Sequence, residues 1–175
     1  SETENIVKSL KDNKGIYLVP AFTGLGAPYW DANARGVLSG LTRDTGPKEI
    51  IRATIESVAY QTYDLFEAMK HDGLRPKLVK VDGGMVMNNW FSQFLSDVIN
   101  IKVLRPKVQE TTALGAAFMA GLQIGVYKSL KDISKNWHLD KNFTPQIKTK
   151  ERENLVKGWS TAIKKALTIT TLNWK

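Results

Sequence analysis

Two adjacent glycines and an asparagine lie where an α/β protein would bind a ligand. Gly83 and Gly84 follow a short apolar run that predicts a strand, and Asn88 comes four residues after Gly84. Ligands of open α/β sheets bind beyond the carboxyl ends of strands, and glycine lets the backbone approach a planar group closely. We therefore hypothesise a purine that rests on Gly83 and Gly84, with the Asn88 amide as a polar contact. The alternative is a plain strand-to-helix turn in which Asn88 or Asn89 caps the helix.

The elements that position these residues are a strand before the glycines and a helix after them. Residues 78–81 form a valine-rich run, which is typical of a central strand covered on both faces. From Met87 onward, apolar residues recur every three or four positions, which predicts a helix with Asn88 in its first turn. Residues 101–105 are the next predicted strand, and the order strand, helix, strand implies a parallel pair.

The remaining patterns predict a hairpin and three further helices. Short apolar runs at 16–22 and 36–41 form the hairpin, whose long tip is rich in glycine and aromatic residues. A long helix begins at Pro47, an alanine-rich helix with a thin face covers 113–121, and an amphipathic helix ends the chain. Residues 143–145 are interpreted as a turn.

The acidic residues of the long helix do not suggest catalysis. Glu56, Asp64 and Glu67 are interpreted as solvent-facing charges, because none has a histidine or a second carboxylate at a spacing suited to acid/base chemistry. We therefore assign no catalytic residue to this helix.

Composition limits the possible classes of protein. The chain has 175 residues, 42% of them hydrophobic, and no apolar run approaches the ~20 residues that span a bilayer. We predict one cytoplasmic globular domain that does not contact a membrane. Cysteine is absent, and His71 and His138 are far apart, so no metal site is predicted. The net charge of +8 is scattered along the chain, and we therefore expect no nucleic-acid partner.

Five sequence blocks in order resemble the FGGY family of carbohydrate kinases. Residues 36–41 followed by 49–56 resemble the second signature of that family. The other blocks are 20–30, 57–62, 81–84 with Asn88 and Asn89, and 112–117. The resemblance is strong from Gly15 to Tyr127 and looser in the last helix.

The resemblance implies an α/β fold of the actin-like, ribonuclease H-like class, in which two lobes close on ATP. Its expected parts here are parallel strands with flanking helices and a β-hairpin. In the family, positions matching Gly84 and Asn88, with Gly83 beside them, form part of the adenine pocket. The alanine-rich helix around Gly115 corresponds to the interlobe helix. The implied activity is ATP-dependent phosphorylation of a polyol, and the block at 24–30 favours glycerol, with glycerol 3-phosphate as product.

Several family motifs are not found in this sequence. They are the Asp-x-Gly-Thr phosphate loop, the Gly-Asp-Gln setting of the catalytic base and the Gly-Thr-Gly phosphate hairpin. We therefore expect residues 1–175 to be a second-lobe domain that is incomplete on its N-terminal side and inactive alone. The expected partners are a nucleotide and the missing N-terminal lobe. Mg²⁺ would belong to the complete enzyme, and no ligand for it is identifiable here.

Two alternatives stay open. A kinase of another polyol or sugar would share these blocks, because the polyol pocket lies outside the sequence. A non-catalytic interaction module is the second, because unpaired sheet edges and an uncovered helix would bind a partner chain or form a homo-oligomer. A ribonuclease H-type nuclease is disfavoured, since Asp82 has no clustered carboxylates to share a metal with.

Overall fold

The computed structural model describes residues 2–169. Ser1 and residues 170–175, at the ends of the predicted domain, lie outside the described residues. The helices are α1 (Glu2–Lys8), α2 (Pro47–His71), α3 (Asn89–Ile99), α4 (Thr111–Gln123), α5 (Leu130–Ser134) and α6 (Thr149–Ile169). The strands are β1 (Tyr17–Val19), β2 (Val37–Ser39), β3 (Leu78–Lys80), β4 (Lys102–Pro106) and β5 (Leu139–Phe143).

The predicted hairpin is confirmed by the antiparallel pairing of β1 and β2, in which Tyr17 lies opposite Ser39. Helix α2 also begins as predicted, with Pro47 as its first residue. The Glu49 carboxylate accepts a hydrogen bond of 3.0 Å from the Gly46 N–H, so the first turn is capped from within. The helix ends at His71, and Gly73 continues the chain with φ +84°.

Strands β3, β4 and β5 form one sheet in that order. The predicted parallel pair is confirmed, with Val79 opposite Val103. Strand β3 lies at the sheet edge and not, as the sequence pattern had indicated, at its centre, and Leu78 is 49% exposed. The predicted turn at 143–145 was wrong at Phe143, which is the last residue of β5. Only Phe143 of β5 is buried, so the strand shows no alternating apolar pattern.

The hydrophobic core is built by α2, α3 and α6 around β1, and its centre is aromatic. The rings of Tyr60 and Trp159 stack with their centroids 5.3 Å apart, and Phe94 meets the Tyr60 ring edge-on at 5.6 Å. Such pairs add to the stabilisation from burial alone. Trp159 also donates from Nε1 to the Asp64 carboxylate at 2.7 Å, which ties α6 to α2.

The interpretation of the α2 acids as solvent-facing was wrong for Glu56 and Asp64. Glu56 is fully buried and accepts hydrogen bonds from Arg52 Nε at 2.7 Å and from Asn13 Nδ2 at 2.9 Å. Burial raises the pKa of Glu56, and the hydrogen bond from Arg52 opposes that rise. Burial likewise raises the pKa of Asp64. A pattern of apolar residues alone does not reveal these contacts, because Asn13 and Trp159 are distant in sequence from their partners on α2.

Helix α4 lies outside this core. Its residues Ala113, Ala116, Ala117 and Ala120 are exposed, and Met119 is 52% exposed. The predicted alanine-rich helix is therefore confirmed, and its thin face is uncovered by the described residues. Within residues 2–169, no helix is both long and apolar enough to cross a membrane.

Candidate functional site

The two glycines that end β3 have different structural reasons to be glycine. Gly83 has φ +88°, a conformation that side-chain-bearing residues rarely adopt. Gly84 begins a single 3₁₀ turn, Gly84–Met87, without a positive φ. A Cβ built on Gly84 would have no described atom within 4 Å. The fold therefore requires glycine at position 83, whereas position 84 faces open space.

Asn88 is the N-cap of α3. The sequence pattern had placed it in the first turn of that helix, one position too far along. Its Oδ1 accepts a hydrogen bond of 3.1 Å from the Phe91 N–H, and the residue is only 7% exposed. The helix cap that the sequence offered as an alternative is therefore present. The cap uses only the amide oxygen, and Nδ2 makes no hydrogen bond within the described part of the chain. Asn88 can thus cap the helix and still donate to a ligand.

Arg105 on β4 holds the turn between the glycines and α3. Its guanidinium donates to the Val86 carbonyl at 2.7 Å and to Asn89 Oδ1 at 3.2 Å. The Asp140 carboxylate accepts from Arg105 Nε at 2.8 Å, which fixes the other side of the guanidinium. Ser92 Oγ donates to the same Val86 carbonyl at 2.9 Å. Arg105 was not predicted as a functional residue, because a basic residue within a strand has no sequence pattern that predicts such contacts.

A cavity of about 440 Å³ opens beside this turn. Its lining joins the turn to α1 and α2 and consists of Thr3, Ile55, Gly84, Met85, Met87 and Asn88. The structure therefore brings Gly84 and Asn88 together at one cavity, whereas Gly83 lies next to it in the chain but is not part of the lining. The volume lies in the range of cofactor and ligand pockets, about 300–1,000 Å³.

Four lining residues were missed by the sequence analysis. Met85 is 44% exposed and Met87 is 47% exposed, which is unusual for methionines flanking the buried Val86. Ile55 belongs to the apolar stripe of α2, which does not distinguish a core residue from a pocket wall. Thr3 is brought in by α1. No sequence signal could have identified these four residues, because the exposure of the methionines and the meeting of α1 and α2 at the turn are known only from the structure.

The chemistry of this arrangement is that of binding. Thioether side chains are polarizable and contact aromatic faces favourably. The amide nitrogen of Asn88 supplies a directional donor, and Gly84 supplies a floor without a side chain. No acid or base lines the cavity within the described residues, so the cavity offers recognition of a flat, neutral, hydrogen-bonding ring. Within residues 2–169, no group of three or more His, Asp or Glu side chains is placed to hold a metal ion.

Comparison with known proteins gives a family match over most of the chain. The C-terminal domain of the FGGY family of carbohydrate kinases matches residues 3–124. Glycerol kinase 1 of Pseudomonas aeruginosa is 54% identical over 164 residues, which are 94% of this chain and 33% of that protein. The chain thus spans about a third of the length of the curated relatives it matches.

Solved structures give the same result. A glycerol kinase of Plasmodium falciparum, crystallised with ADP, matches 95% of this chain and 33% of its own, with a TM-score of 0.83 and 34% identity. A gluconate kinase of Lactobacillus acidophilus matches 97% of this chain and 34% of its own, with a TM-score of 0.77 and 25% identity. These matches confirm the predicted actin-like, ribonuclease H-like α/β fold class.

Proposed function

The chain belongs to the FGGY family of carbohydrate kinases, and from that premise we propose that it supplies the adenine-binding part of the ATP site of a glycerol kinase. Members of this family are kinases, so ATP use follows from membership. The finer proposal is that Gly84 and Asn88 contact the adenine, with Gly83 shaping the turn beside them. A cytoplasmic location stays a prediction.

The observation that carries the proposal is the open space at Gly84. Packing does not require glycine there, since a Cβ would contact no described atom within 4 Å, and the backbone does not require it either, since φ is not positive. A glycine that neither packing nor backbone requires, and that lines a cavity as Gly84 does, is explained if a ligand lies against it. Gly83 differs in this respect, because its φ of +88° accounts for it without a ligand.

The cavity residues fit adenine. Met85 and Met87 would contact the ring faces, and Asn88 Nδ2 would donate to a ring nitrogen while Oδ1 keeps capping α3. When bound, ATP supplies the phosphoryl group that is transferred. The residues of this chain bind and orient the base, and Arg105 holds the turn on which the base rests.

Phosphoryl transfer needs more groups than this chain presents. It depends on positioning and charge stabilisation by phosphate-binding groups, metal ions and a base that orients the acceptor hydroxyl. We propose that residues 1–175 act as a second-lobe domain and that the remaining two thirds of the kinase supply these groups. Mg²⁺ would be held there and by the phosphates. The uncovered face of α4 and the open edge of β3 are the surfaces that would meet that part.

Glycerol is the polyol we propose as the acceptor. The curated relatives at 50–54% identity are named glycerol kinases, whereas the gluconate kinase shares only 25% identity. Identity of that size over 94% of the chain favours the same substrate class. A kinase acting on another polyol or sugar would be indicated if the complete enzyme phosphorylated it in preference to glycerol.

The experiment is a calorimetric titration of the chain and of three variants with ADP. Gly84→Val places a branched side chain in the cavity, and we expect it to abolish detectable ADP binding. Asn88→Asp keeps a capping oxygen but loses the amide donor, and we expect at least a tenfold loss of affinity, about 1.4 kcal/mol. Gly26→Ala is the matched control, because a Cβ there also meets no described atom within 4 Å, and Gly26 lies in the hairpin tip.

The proposal is wrong if Gly84→Val binds ADP as the parent chain does, or if the control loses binding equally. Turnover of glycerol and ATP by the 175-residue chain alone would show that the assignment of catalysis to the rest of the kinase is wrong. An obligate oligomer that is indifferent to ADP in size-exclusion chromatography would favour the non-catalytic interaction module instead.

A further inference from the structure

A second cavity, of about 230 Å³, lies at the carboxyl end of β4, below α4 and α5. It shares no lining residue with the cavity beside Gly84. The lining consists of Lys80, Pro106, Val108, Thr111, Leu114, Phe118, Ile133, Ser134, Asn136, Trp137 and His138. The proposed kinase function makes no use of these residues.

The walls of this cavity are mostly apolar and partly rigid. Leu114 and Phe118 face it from α4, and Trp137 closes it from the segment after α5. The Phe118 ring packs edge-on against Tyr127 with the ring centroids 5.5 Å apart, which holds one wall in place. An engineered apolar cavity of about 150 Å³ in another protein binds benzene. The present volume of about 230 Å³ therefore suits one aromatic ring with a short substituent.

The charges at the cavity all have one sign. Lys80 Nζ lies 4.0 Å from the centroid of the Trp137 ring, and it forms no ion pair with any acid among residues 2–169. No aspartate, glutamate or arginine contributes to the described lining, so Lys80 is its one formally charged side chain at pH 7. Thr111, the first residue of α4, also lines the cavity, so the positive end of that helix dipole lies at its wall. An apolar interior with a cationic rim favours a ligand with an apolar body and a negative end.

We propose that this cavity binds a small aromatic carboxylate. The ring would occupy the space between Leu114, Phe118 and Trp137, and the carboxylate would displace the Lys80 ammonium from the Trp137 ring to form an ion pair. A carboxylate fits better than a phosphate, because its single negative charge matches the one lysine of the described lining, whereas a phosphate monoester carries about −1.5 to −2 at pH 7. Ser134 Oγ and Asn136 Nδ2 already donate to backbone carbonyls of residues 131–133, so Lys80 is the donor that we assign to the carboxylate.

The test follows the indole N–H resonance of Trp137 in ¹⁵N-labelled 175-residue chain, assigned with Trp137→Phe. Three probes of nearly equal shape are titrated to the millimolar concentrations suited to ligands of this size: 3-phenylpropanoate, neutral 3-phenylpropanamide and cationic 3-phenylpropylamine. We expect the carboxylate to bind about tenfold more tightly than the amide, and the amine to bind most weakly, because charge-assisted hydrogen bonds are the stronger ones.

Two variants make the result specific to the cavity. Lys80→Gln should reduce the affinity for 3-phenylpropanoate about tenfold, which is the expected loss for one charged contact. It should change the affinity for the amide less than about twofold. Lys77→Gln is the matched control, since Lys77 is exposed and does not line the cavity. Leu114→Trp should abolish binding of all three probes by filling the space.

Equal affinity for carboxylate and amide would overturn the proposal, and so would an equal effect of Lys80→Gln and Lys77→Gln. Absence of any Trp137 shift with all three probes would also overturn it. These outcomes are separate from the ADP titration, because the two cavities share no lining residue.

Discussion

Two regions of this molecule differ in how completely their side chains are buried by the rest of the chain. The packed region is formed by β1, α2, α3 and α6. In it, Trp159 is 1% exposed, and Glu56 is fully buried and has hydrogen-bond partners. The open region consists of β3, the Gly84–Met87 turn and α4. In it, Met85, Met87 and Met119 are each more than 40% exposed. Stability resides in the packed region, and the open region offers surfaces for ligands and for further protein.

This difference locates the functional residues. In the packed region, side chains are explained by their contacts within the chain. In the open region, Gly84 and the exposed methionines have no such explanation. Three of the residues that folding leaves unexplained, Gly84, Met85 and Met87, line the proposed adenine cavity, which fits the general observation that functional sites depart from the rules of stability.

The largest effect should come from truncating the aromatic centre of the packed region. Trp159→Ala removes a stacked, buried ring and the hydrogen bond to Asp64, and we expect a loss of about 3–5 kcal/mol in the free energy of unfolding. Urea denaturation followed by circular dichroism measures it. Trp30→Ala is the control, because Trp30 is 78% exposed, and a change within about 0.5 kcal/mol is expected. Similar losses for both would remove the distinction between the regions.

A smaller effect is expected where the open region is anchored to its sheet. Arg105→Met keeps the apolar length but removes the charged hydrogen bonds to Val86 and Asn89, and we expect a loss of about 2–3 kcal/mol in stability. The same variant should weaken ADP binding more than about tenfold, because the turn loses its support. Arg35→Met, at an exposed arginine of the hairpin tip, is the control. If Arg105→Met is less stable but binds ADP with unchanged affinity, the Gly84–Met87 turn keeps its conformation without Arg105.

Asn88 separates the cap from the ligand contact. Asn88→Ala removes the Oδ1 acceptor of the Phe91 N–H, and we expect about 1 kcal/mol of destabilisation. Asn88→Ser retains a capping oxygen, so its urea midpoint should return close to that of the parent chain. ADP affinity should fall in both variants, since neither carries the amide nitrogen. Recovery of ADP affinity in Asn88→Ser would mean that Asn88 acts only as a cap.

The smallest effect is a pH dependence in the packed region. The Lys14 ammonium, followed by backbone N–H donors, lowers the pKa of Glu49 to about 2 from an ordinary value of 4.5. Because the folded-state pKa is depressed, this contribution to stability is complete above pH 4.5 and is lost as the pH falls towards about 2. Glu49→Gln should show a shallower decline of the urea midpoint across that window. A parallel decline in both proteins would contradict the assignment.

Much of the fold followed from local patterns. The hairpin, the start of α2 at Pro47, and the parallel pair of β3 and β4 were all predicted from residue types and spacing. These features depend on contacts within a few residues, or on periodicity, which sequence displays directly. Strand β5 escaped prediction because it is exposed except at Phe143, so nothing in its pattern distinguishes it from a loop.

The site was predicted only in part. Gly84 and Asn88 were identified and do share a cavity, but the roles of Arg105, Ile55 and Thr3 depend on which elements meet in space. Glu56 was misinterpreted for the same reason, since its partner Asn13 lies far away in sequence. The contact of Gly84 and Asn88 with a nucleotide stays a prediction that the ADP titration tests.

The open edge of β3 has a consequence for handling the protein. The strand is only three residues long, and Lys77 and Lys80 lie at its two ends, a combination that discourages accidental pairing with another sheet. When two molecules approach edge to edge, the repulsion between their Lys77 and Lys80 ammonium groups weakens as salt is added. We therefore expect concentrated samples to remain clear in dilute buffer and to become turbid first in high salt, which makes ionic strength the variable to control during purification and crystal growth.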